Sequence, residues 1–245
     1  MPTYSTLLSD VASTIVVDST DTALNAIFPE WILSAEGRIV RDLDLMASNV
    51  RDSSASTTSG SRNFNLPTSI GTFLIVTDLN VITPASTAPE SGARTRLTPV
   101  SLAVMDYTYS SSTGTGVPTQ WAYVTQDTFI SPAQTQIVLG PWPDATYRIE
   151  VIGKVQPATL SSTNTTTWLS VNLYDVLFKA VMIEATAWQQ NLGAAGIDNP
   201  QMANTWIGAY NQAKESAGVW QARARLAGVS WTAHQPEPVA VNQRG

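Results

Sequence analysis

The chain has 245 residues, enough for one large domain or two modest ones, and its 43% apolar content is ordinary for a globular protein. Charged residues make up 13%, about half the usual share, and serine and threonine replace them. The absence of cysteine excludes a disulfide framework and a thiolate metal site. No long apolar run is present and the N-terminus lacks a basic and apolar leader, so neither a membrane span nor a signal peptide is expected.

The net charge of −6 is concentrated near the N-terminus. Residues 1–49 contain seven acidic residues against two arginines, whereas residues 161–245 are balanced. No basic stripe is visible along the chain, which argues against DNA binding through phosphate neutralisation. The acidic N-terminal part has two interpretations: a solvated helical face, which is the simpler one, or an acidic wall past which DNA slides without binding.

Two helices are predicted in the N-terminal part. Residues 4–16 are weakly amphipathic, with apolar residues at helical spacing: Leu7, Leu8, Val11 and Ile15. Pro29 is expected to open the second helix, because a proline at the first helical position loses no hydrogen bond. This helix is expected to end near residue 48 and to carry one apolar stripe, formed by Ile32, Ala35, Ile39, Leu43 and Met46. Residues 49–61 are almost entirely polar and predict a flexible connection.

Residues 62–155 change to short runs of β-branched and aromatic residues, interrupted by proline and glycine. The predicted strands are residues 64–66, 73–81, 102–109, 119–125, 136–139 and 147–155. The last alternates, with Tyr147, Ile149, Val151 and Val155 on one side and Arg148, Glu150 and Lys154 on the other. Six short strands of this kind predict a small antiparallel barrel or sandwich. Residues 110–118 predict an exposed hairpin tip, and residues 84–98 a long loop.

Two longer helices are predicted after the strands. The first is capped by Ser170 and runs to about residue 191, with apolar residues around nearly its whole circumference, which is typical of a buried helix. Asp175 and Lys179 form an i,i+4 pair on it. Asn199 is expected to cap, and Pro200 to start, a last helix that runs to about residue 226. Residues 229–245 have no hydrophobic period and predict an extended tail.

These elements predict an α+β fold in three parts. Residues 1–49 and 160–228 are expected to form a bundle of long helices. Residues 50–159 are expected to form an inserted antiparallel β-barrel or sandwich, and residues 229–245 an extended C-terminal tail.

Motifs that carry catalytic chemistry are absent from the sequence. It contains no G-x-S-x-G, no P-loop and no H-E-x-x-H, and the single histidine, His234, lies in the predicted tail. The acidic residues of the β-rich middle are scattered and lack the spacing of a calcium loop. We therefore expect no catalytic residue, no cofactor and no metal. An enzyme with an unusual carboxylate site is an alternative.

The eight tryptophans indicate packing and interaction. Four lie on predicted helices, where core packing is the simplest interpretation: Trp31, Trp188, Trp206 and Trp220. Trp231 lies in the predicted tail without a local core, so it is either exposed or an anchor in a neighbour's pocket. Trp121 and Trp142 lie among the predicted strands, and a carbohydrate-binding module that uses them is a second alternative.

The order of several short segments resembles the head-to-tail adaptor (connector) proteins of tailed bacteriophages. FPEWILSAEGRIVRDLDL is similar to their first core helix, and NFNLP to their entry into the β-insert. The run from GVPTQWAYVTQDTFI to QIVLGPWPDATYRIEVIGKVQPATLS resembles the insert itself, and TTTWLSVNLYDVLFKAVMIEATAW resembles the return helix. The resemblance spans about residues 24–215, and residues 84–98 make a longer loop than a minimal member would have.

This resemblance implies a structural virion protein without catalytic residues. It implies a homo-oligomeric ring, commonly of twelve copies, that docks under the portal protein in the virion neck after synthesis in the host cytoplasm. The ring would extend the DNA channel, let double-stranded DNA pass without specific binding, and offer a platform to tail tube or nozzle proteins. Another virion component, such as a tail-completion or capsid-decorating protein, is an alternative.

The C-terminal segment of such adaptors often reaches into the portal, which matches the predicted tail. The candidate portal or subunit interface residues are therefore Trp220, Arg223, Arg225, Trp231 and His234. The candidate channel-facing acidic residues are Glu30, Glu36, Asp42 and Asp44.

Overall fold

The structure is a computed structural model that describes residues 1–124, 136–191 and 200–228. Within these residues, six helices and ten strands form an α+β fold, which confirms the predicted class. Most helices come from the two ends of the chain and the strands from its middle. No described helix is both long and apolar enough to span a membrane.

The first two helices are α1, Tyr4–Thr14, and α2, Thr22–Asp42. The prediction that Pro29 opens the second helix is wrong, because Pro29 lies inside α2. The Asp21 carboxylate caps this helix by accepting the N–H groups of Ala23 and Leu24 at 2.8 and 2.9 Å. Leu24 and Phe28 are fully buried, so core packing extends the helix upstream of the proline.

The predicted end of α2 near residue 48 is also wrong. The helix ends at Asp42, and Met46–Ser48 form a separate 3-10 turn in which Met46 is exposed. The stripe of Ile32, Ala35, Ile39 and Leu43 is buried as predicted.

The strands form two four-stranded sheets and one two-stranded pair. In chain order they are β1 Asn49–Asp52, β2 Asn63–Asn65, β3 Thr72–Thr83, β4 Ala93–Arg96, β5 Thr98–Pro99, β6 Thr115–Gly116, β7 Gln120–Tyr123, β8 Gln136–Gly140, β9 Trp142–Pro143 and β10 Arg148–Gln156. Sheet A has the order β1-β10-β3-β4, and sheet B the order β2-β8-β7-β5. The pairs are antiparallel except β5–β7 and β6–β9, which are parallel.

The two sheets share one apolar core. Leu79, Val81 and Val151 contribute from sheet A, and Trp121 and Leu139 from sheet B. The alternation predicted for β10 is confirmed, since Ile149, Val151 and Val155 are buried. The chain passes from sheet A to sheet B through Leu97, which separates β4 from β5.

Residues 102–109 are not a strand. They form a third helix, α3 (Leu102–Thr108), which Ser101 caps by accepting the N–H of Val104. Met105 is fully buried, whereas Val104 and Tyr107 are exposed. The packed residues Leu102, Met105 and Tyr109 follow each other by three and four positions, which is helical spacing.

Three predicted loops contain pairing that the sequence did not indicate. The flexible connection predicted at 49–61 is wrong in part, because β1 pairs with β10 and both Asp52 and Thr57 are buried. Residues 84–98 contain β4, which pairs with β3. Residues 110–118 are largely exposed as expected, but they contain β6, which pairs with β9. They join α3 to β7, so they are not a hairpin tip.

The C-terminal helices are α4 Trp168–Asn172, α5 Tyr174–Asn191 and α6 Pro200–Gly228. The prediction that Ser170 caps the helix is wrong. Thr167 is the N-cap of α4, and Ser170 lies inside α4, where it completes the capping box. The buried character of α5 is confirmed, since Val176, Leu177 and Val181 are fully buried. The last helix begins at Pro200 as predicted, and Asn199 lies outside the described residues.

The helices α1, α2, α5 and α6 contribute to a second apolar core, distinct from that of the sheets. Phe28 and Ile39 come from α2, Leu177 from α5, and Ala213 from α6. The chain passes between the two cores twice, outward at residues 43–48 and back at residues 157–167.

Candidate functional site

The structure describes seven of the nine candidate residues named from the sequence. Asp44 and Arg225 form an ion pair where the chain leaves the helices, and Trp220 and Arg223 lie on the same helix as Arg225, α6. Trp231 and His234 lie outside the described residues.

A cluster of three charged residues joins three elements at the outward crossing, and we call it the junction clamp: Asp44, Lys154 and Arg225. The Asp44 carboxylate forms ion pairs with Lys154 of β10 and Arg225 of α6. The Arg225 guanidinium also donates to the Asp44 carbonyl oxygen at 2.6 Å. The hydrogen bond from Lys154, together with Arg225, lowers the pKa of Asp44. Asp44, predicted to face the channel, and Arg225, predicted to lie at an interface, thus bind each other.

Gln221 holds the same crossing from within the helical core. The side chain is 5% exposed, and its Oε1 accepts the Met46 N–H at 3.0 Å. No motif in the sequence marks Gln221 as a functional residue. Its position could have revealed it, because Gln221 continues the buried series Tyr210, Ala213 and Ala217 at helical spacing.

Glu36 holds the return crossing. It is 5% exposed, and its carboxylate accepts the Leu160 N–H at 3.2 Å. Burial raises the pKa of Glu36 to about 7, although hydrogen bonds from Leu160 and Thr159 oppose the shift. Because position 36 follows Ile32 by one helical turn, it lies on the buried side of α2. The Glu36 carboxylate therefore faces the protein interior and not solvent.

The other acidic candidates do not form a single surface. Asp42 binds α6, since its carboxylate accepts from the Tyr210 hydroxyl at 2.9 Å and lies 3.5 Å from Lys214 Nζ. Burial and the Asp42 carboxylate together raise the pKa of Tyr210. Glu30 is exposed in the first half of α2. Asp42 and Asp44 thus hold neighbouring elements in place, whereas Glu30 faces solvent.

The end of α6 also presents an aromatic surface. Trp220 is 46% exposed and stacks on Trp168 of α4, with ring centroids 6.2 Å apart. Val219 and Arg223 are exposed beside it, along a groove between α6 and the start of α5. A half-exposed tryptophan held by a second ring is typical of an interaction surface.

A family model described as SU10 adaptor protein matches residues 2–235. The chain belongs to the SU10 adaptor protein family. The adaptor family inferred from the ordered motifs is thereby confirmed, and with it the class of structural bacteriophage proteins that take part in tail assembly. No curated protein matches the chain.

In this SU10 family member, the two tryptophans of the carbohydrate-binding alternative do not form an open platform. Trp121 is buried in the core between the sheets. The Trp142 Nε1 donates to the Tyr109 carbonyl at 3.1 Å, and the Arg62 guanidinium lies 5.6 Å from the centre of its ring. These positions disfavour sugar stacking on either ring. Among the described residues of the adaptor, no group of three or more metal-binding side chains is present.

We expect the junction clamp to contribute a small, salt-sensitive stabilisation to the adaptor. A double-mutant cycle of Asp44→Asn and Arg225→Gln should give a coupling of about 0.3–1 kcal/mol, because both side chains are more than two-fifths exposed. Urea unfolding at low and high salt measures this coupling, which should shrink as salt screens it. The i,i+4 pair Asp175 and Lys179 within α5 is the control, and its coupling should be at most about 0.5 kcal/mol. A coupling that is zero at low salt would contradict a clamp.

Proposed function

We propose that the chain is the head-to-tail adaptor of a tailed phage. In this proposal, copies form a ring that docks under the portal, extends the DNA channel and provides the attachment platform for the tail. The family match over residues 2–235 carries the proposal. The arrangement of helices from both chain ends around a β-rich middle supports it.

The proposed division of the chain into domains follows the two apolar cores. We propose that residues 1–49 and 160–228 act as a helical bundle domain and residues 50–159 as an inserted β domain, because each set has its own apolar core. Residues 229–245 would act as the tail that reaches the portal. The junction clamp, Gln221 and Glu36 would fix the insert relative to the bundle.

The proposed partners are the portal protein, the tail tube or nozzle proteins and other copies of the chain, in a ring of twelve. Double-stranded DNA would pass through without specific binding, and the location would be the virion neck. We propose a purely structural role without catalysis, since adaptor families are structural.

The test is direct mixing of the recombinant chain with the portal protein of the same phage. Electron micrographs should show a ring bound to one end of the portal. Persistent absence of binding, with both proteins folded, would overturn the proposal.

Trp220 should matter for this assembly more than for folding. Trp220→Ala should weaken the complex with the portal, or the ring itself, by about thirtyfold or more, as expected of an interface anchor. The free energy of unfolding should change by about 1 kcal/mol or less, because the ring is half exposed. Sedimentation measures the assembly and urea unfolding the stability.

The control is Tyr107→Ala, which removes an aromatic ring that is 89% exposed on α3. Equal effects of the two substitutions on assembly would show that the Trp220 surface has no special role.

A further inference from the structure

The outer face of sheet A brings together four arginines that are far apart in sequence, and we call it the arginine face: Arg51, Arg94, Arg96 and Arg148. The strand register aligns Arg148 of β10 with Ile82 of β3, and Ile82 with Arg94 of β4. The same register places Arg96 in the row of Glu150, and Arg51 in the row of Asp78. Because successive side chains alternate, these residues lie opposite Ile149 and Val151, which fill the core.

Two carboxylates on this face neutralise only part of its charge. Glu150 has a side chain that is 3% exposed, and it accepts from Arg94 Nε at 3.0 Å and Asn80 Nδ2 at 2.7 Å. Asp78 pairs with Arg96. Four guanidinium groups against two carboxylates leave a positive surplus in a chain of net charge −6. The Arg51 and Arg96 side chains are 64% and 69% exposed, so their charges are accessible to a partner.

The same chain carries a surface of opposite sign. Residues 1–37 contain five acidic residues and neither lysine nor arginine. Glu36 is buried, and the other four are exposed on α1, α2 and the connection between them: Asp10, Asp18, Asp21 and Glu30. We call this the acidic surface. Asp18 and Asp21 accept hydrogen bonds from neighbouring residues of their own segment, not from the arginine face.

We propose that the arginine face of one copy binds the acidic surface of the next copy. This inference rests on the proposed ring, in which every interface joins two different surfaces of identical chains. Complementary potentials steer the encounter of two such surfaces and set their register. The helix α2 has 21 residues, so it places Asp21 about 30 Å from the junction with sheet A. In a closed ring the contacting surfaces lie at one height along the ring axis, so this separation requires α2 to be inclined to that axis.

Charge reversal on each surface tests the contact. Arg51→Glu with Arg96→Glu reverses the two most exposed cations of the arginine face. Arg51 lies 4.0 Å from Glu150, which keeps its contacts with Arg94 and Asn80, and urea unfolding checks that the variant is folded. Asp18→Lys with Glu30→Lys alters the acidic surface and leaves the Asp21 cap of α2 intact. Each double variant should form rings with the portal about tenfold more slowly than the wild type at low salt. The variant with all four changes should recover most of the rate, because the charges are exchanged and not lost.

A matched control separates the contact from net charge. Lys179→Glu and Arg96→Glu each reverse a cation that pairs with one carboxylate, but Lys179 lies on α5 and belongs to neither surface. Lys179→Glu should assemble at the wild-type rate, measured by light scattering and confirmed by micrographs, and Arg96→Glu more slowly.

Three outcomes would overturn the inference. If the wild type forms rings and the arginine variants form them equally fast, the contact is wrong while the proposed function stands. If the wild type binds duplex DNA and Arg51→Glu/Arg96→Glu abolishes that binding without slowing assembly, the face serves DNA. If the wild type forms no ring on the portal, the proposed function fails and the inference fails with it.

Discussion

Phe28→Ala is expected to lower the free energy of unfolding by about 3–5 kcal/mol. Phe28 is fully buried, and its ring packs edge-to-face on Tyr4 of α1, 5.5 Å away, and on Trp31, 6.2 Å away. Truncation would leave a cavity between α1 and α2 and remove two aromatic contacts. Urea unfolding followed by circular dichroism measures the loss.

Leu33→Ala in the same helix is the matched control, because Leu33 is largely exposed. It should cost less than about 1 kcal/mol. If Phe28→Ala costs no more than Leu33→Ala, the helices α1 and α2 do not pack as described.

The second large effect is a pH dependence centred on Glu36. Its pKa is about 7 in the fold against 4.5 for an ordinary glutamate, because burial disfavours the charged form. Between these pH values the folded chain keeps a proton that the unfolded chain releases. The contribution of Glu36 to the free energy of unfolding is therefore fully present below pH 4.5. It is lost as the pH rises to about 7, and the total loss is about 3 kcal/mol.

Glu36→Gln should remove this dependence, since an amide of similar shape carries no charge. The wild type should lose stability relative to the variant as the pH rises from about 5 to 8, and the difference should then level off. Chemical unfolding at several pH values measures the difference. Glu30 is exposed, so Glu30→Gln should leave the pH dependence of the free energy of unfolding unchanged. If the wild type and Glu36→Gln show the same pH dependence, Glu36 is not a buried carboxyl with a raised pKa.

Much of the fold followed from local patterns, and the errors share a cause. Three confirmed predictions depend only on residues close in sequence. They are the burial of α5 around most of its circumference, the alternation of buried residues in β10, and the start of α6 at Pro200. The strands β1 and β4 were missed because their pairing with β10 and β3 comes from distant segments. Pro29 misled the prediction because the packing of Leu24 and Phe28 outweighs the preference of proline for the first turn.

The candidate site was harder to predict than the fold. Asp44 and Arg225 were both named, but in separate roles, and their pairing follows from the packing of α6 against the end of α2. The excess of acidic residues near the N-terminus predicts a surface position for Glu36, yet Glu36 is buried. Its hydrogen bond to Leu160 links residues 124 positions apart. The arginine face likewise escaped a search along the chain, since the strand register brings its members together.

The most direct measurement is a reconstruction of the virion neck at side-chain resolution. The proposed function predicts that this chain forms a ring between portal and tail, with the segment that contains Trp231 directed toward the portal. Density for the chain on the capsid exterior or at the distal end of the tail, with another protein between portal and tail, would contradict it.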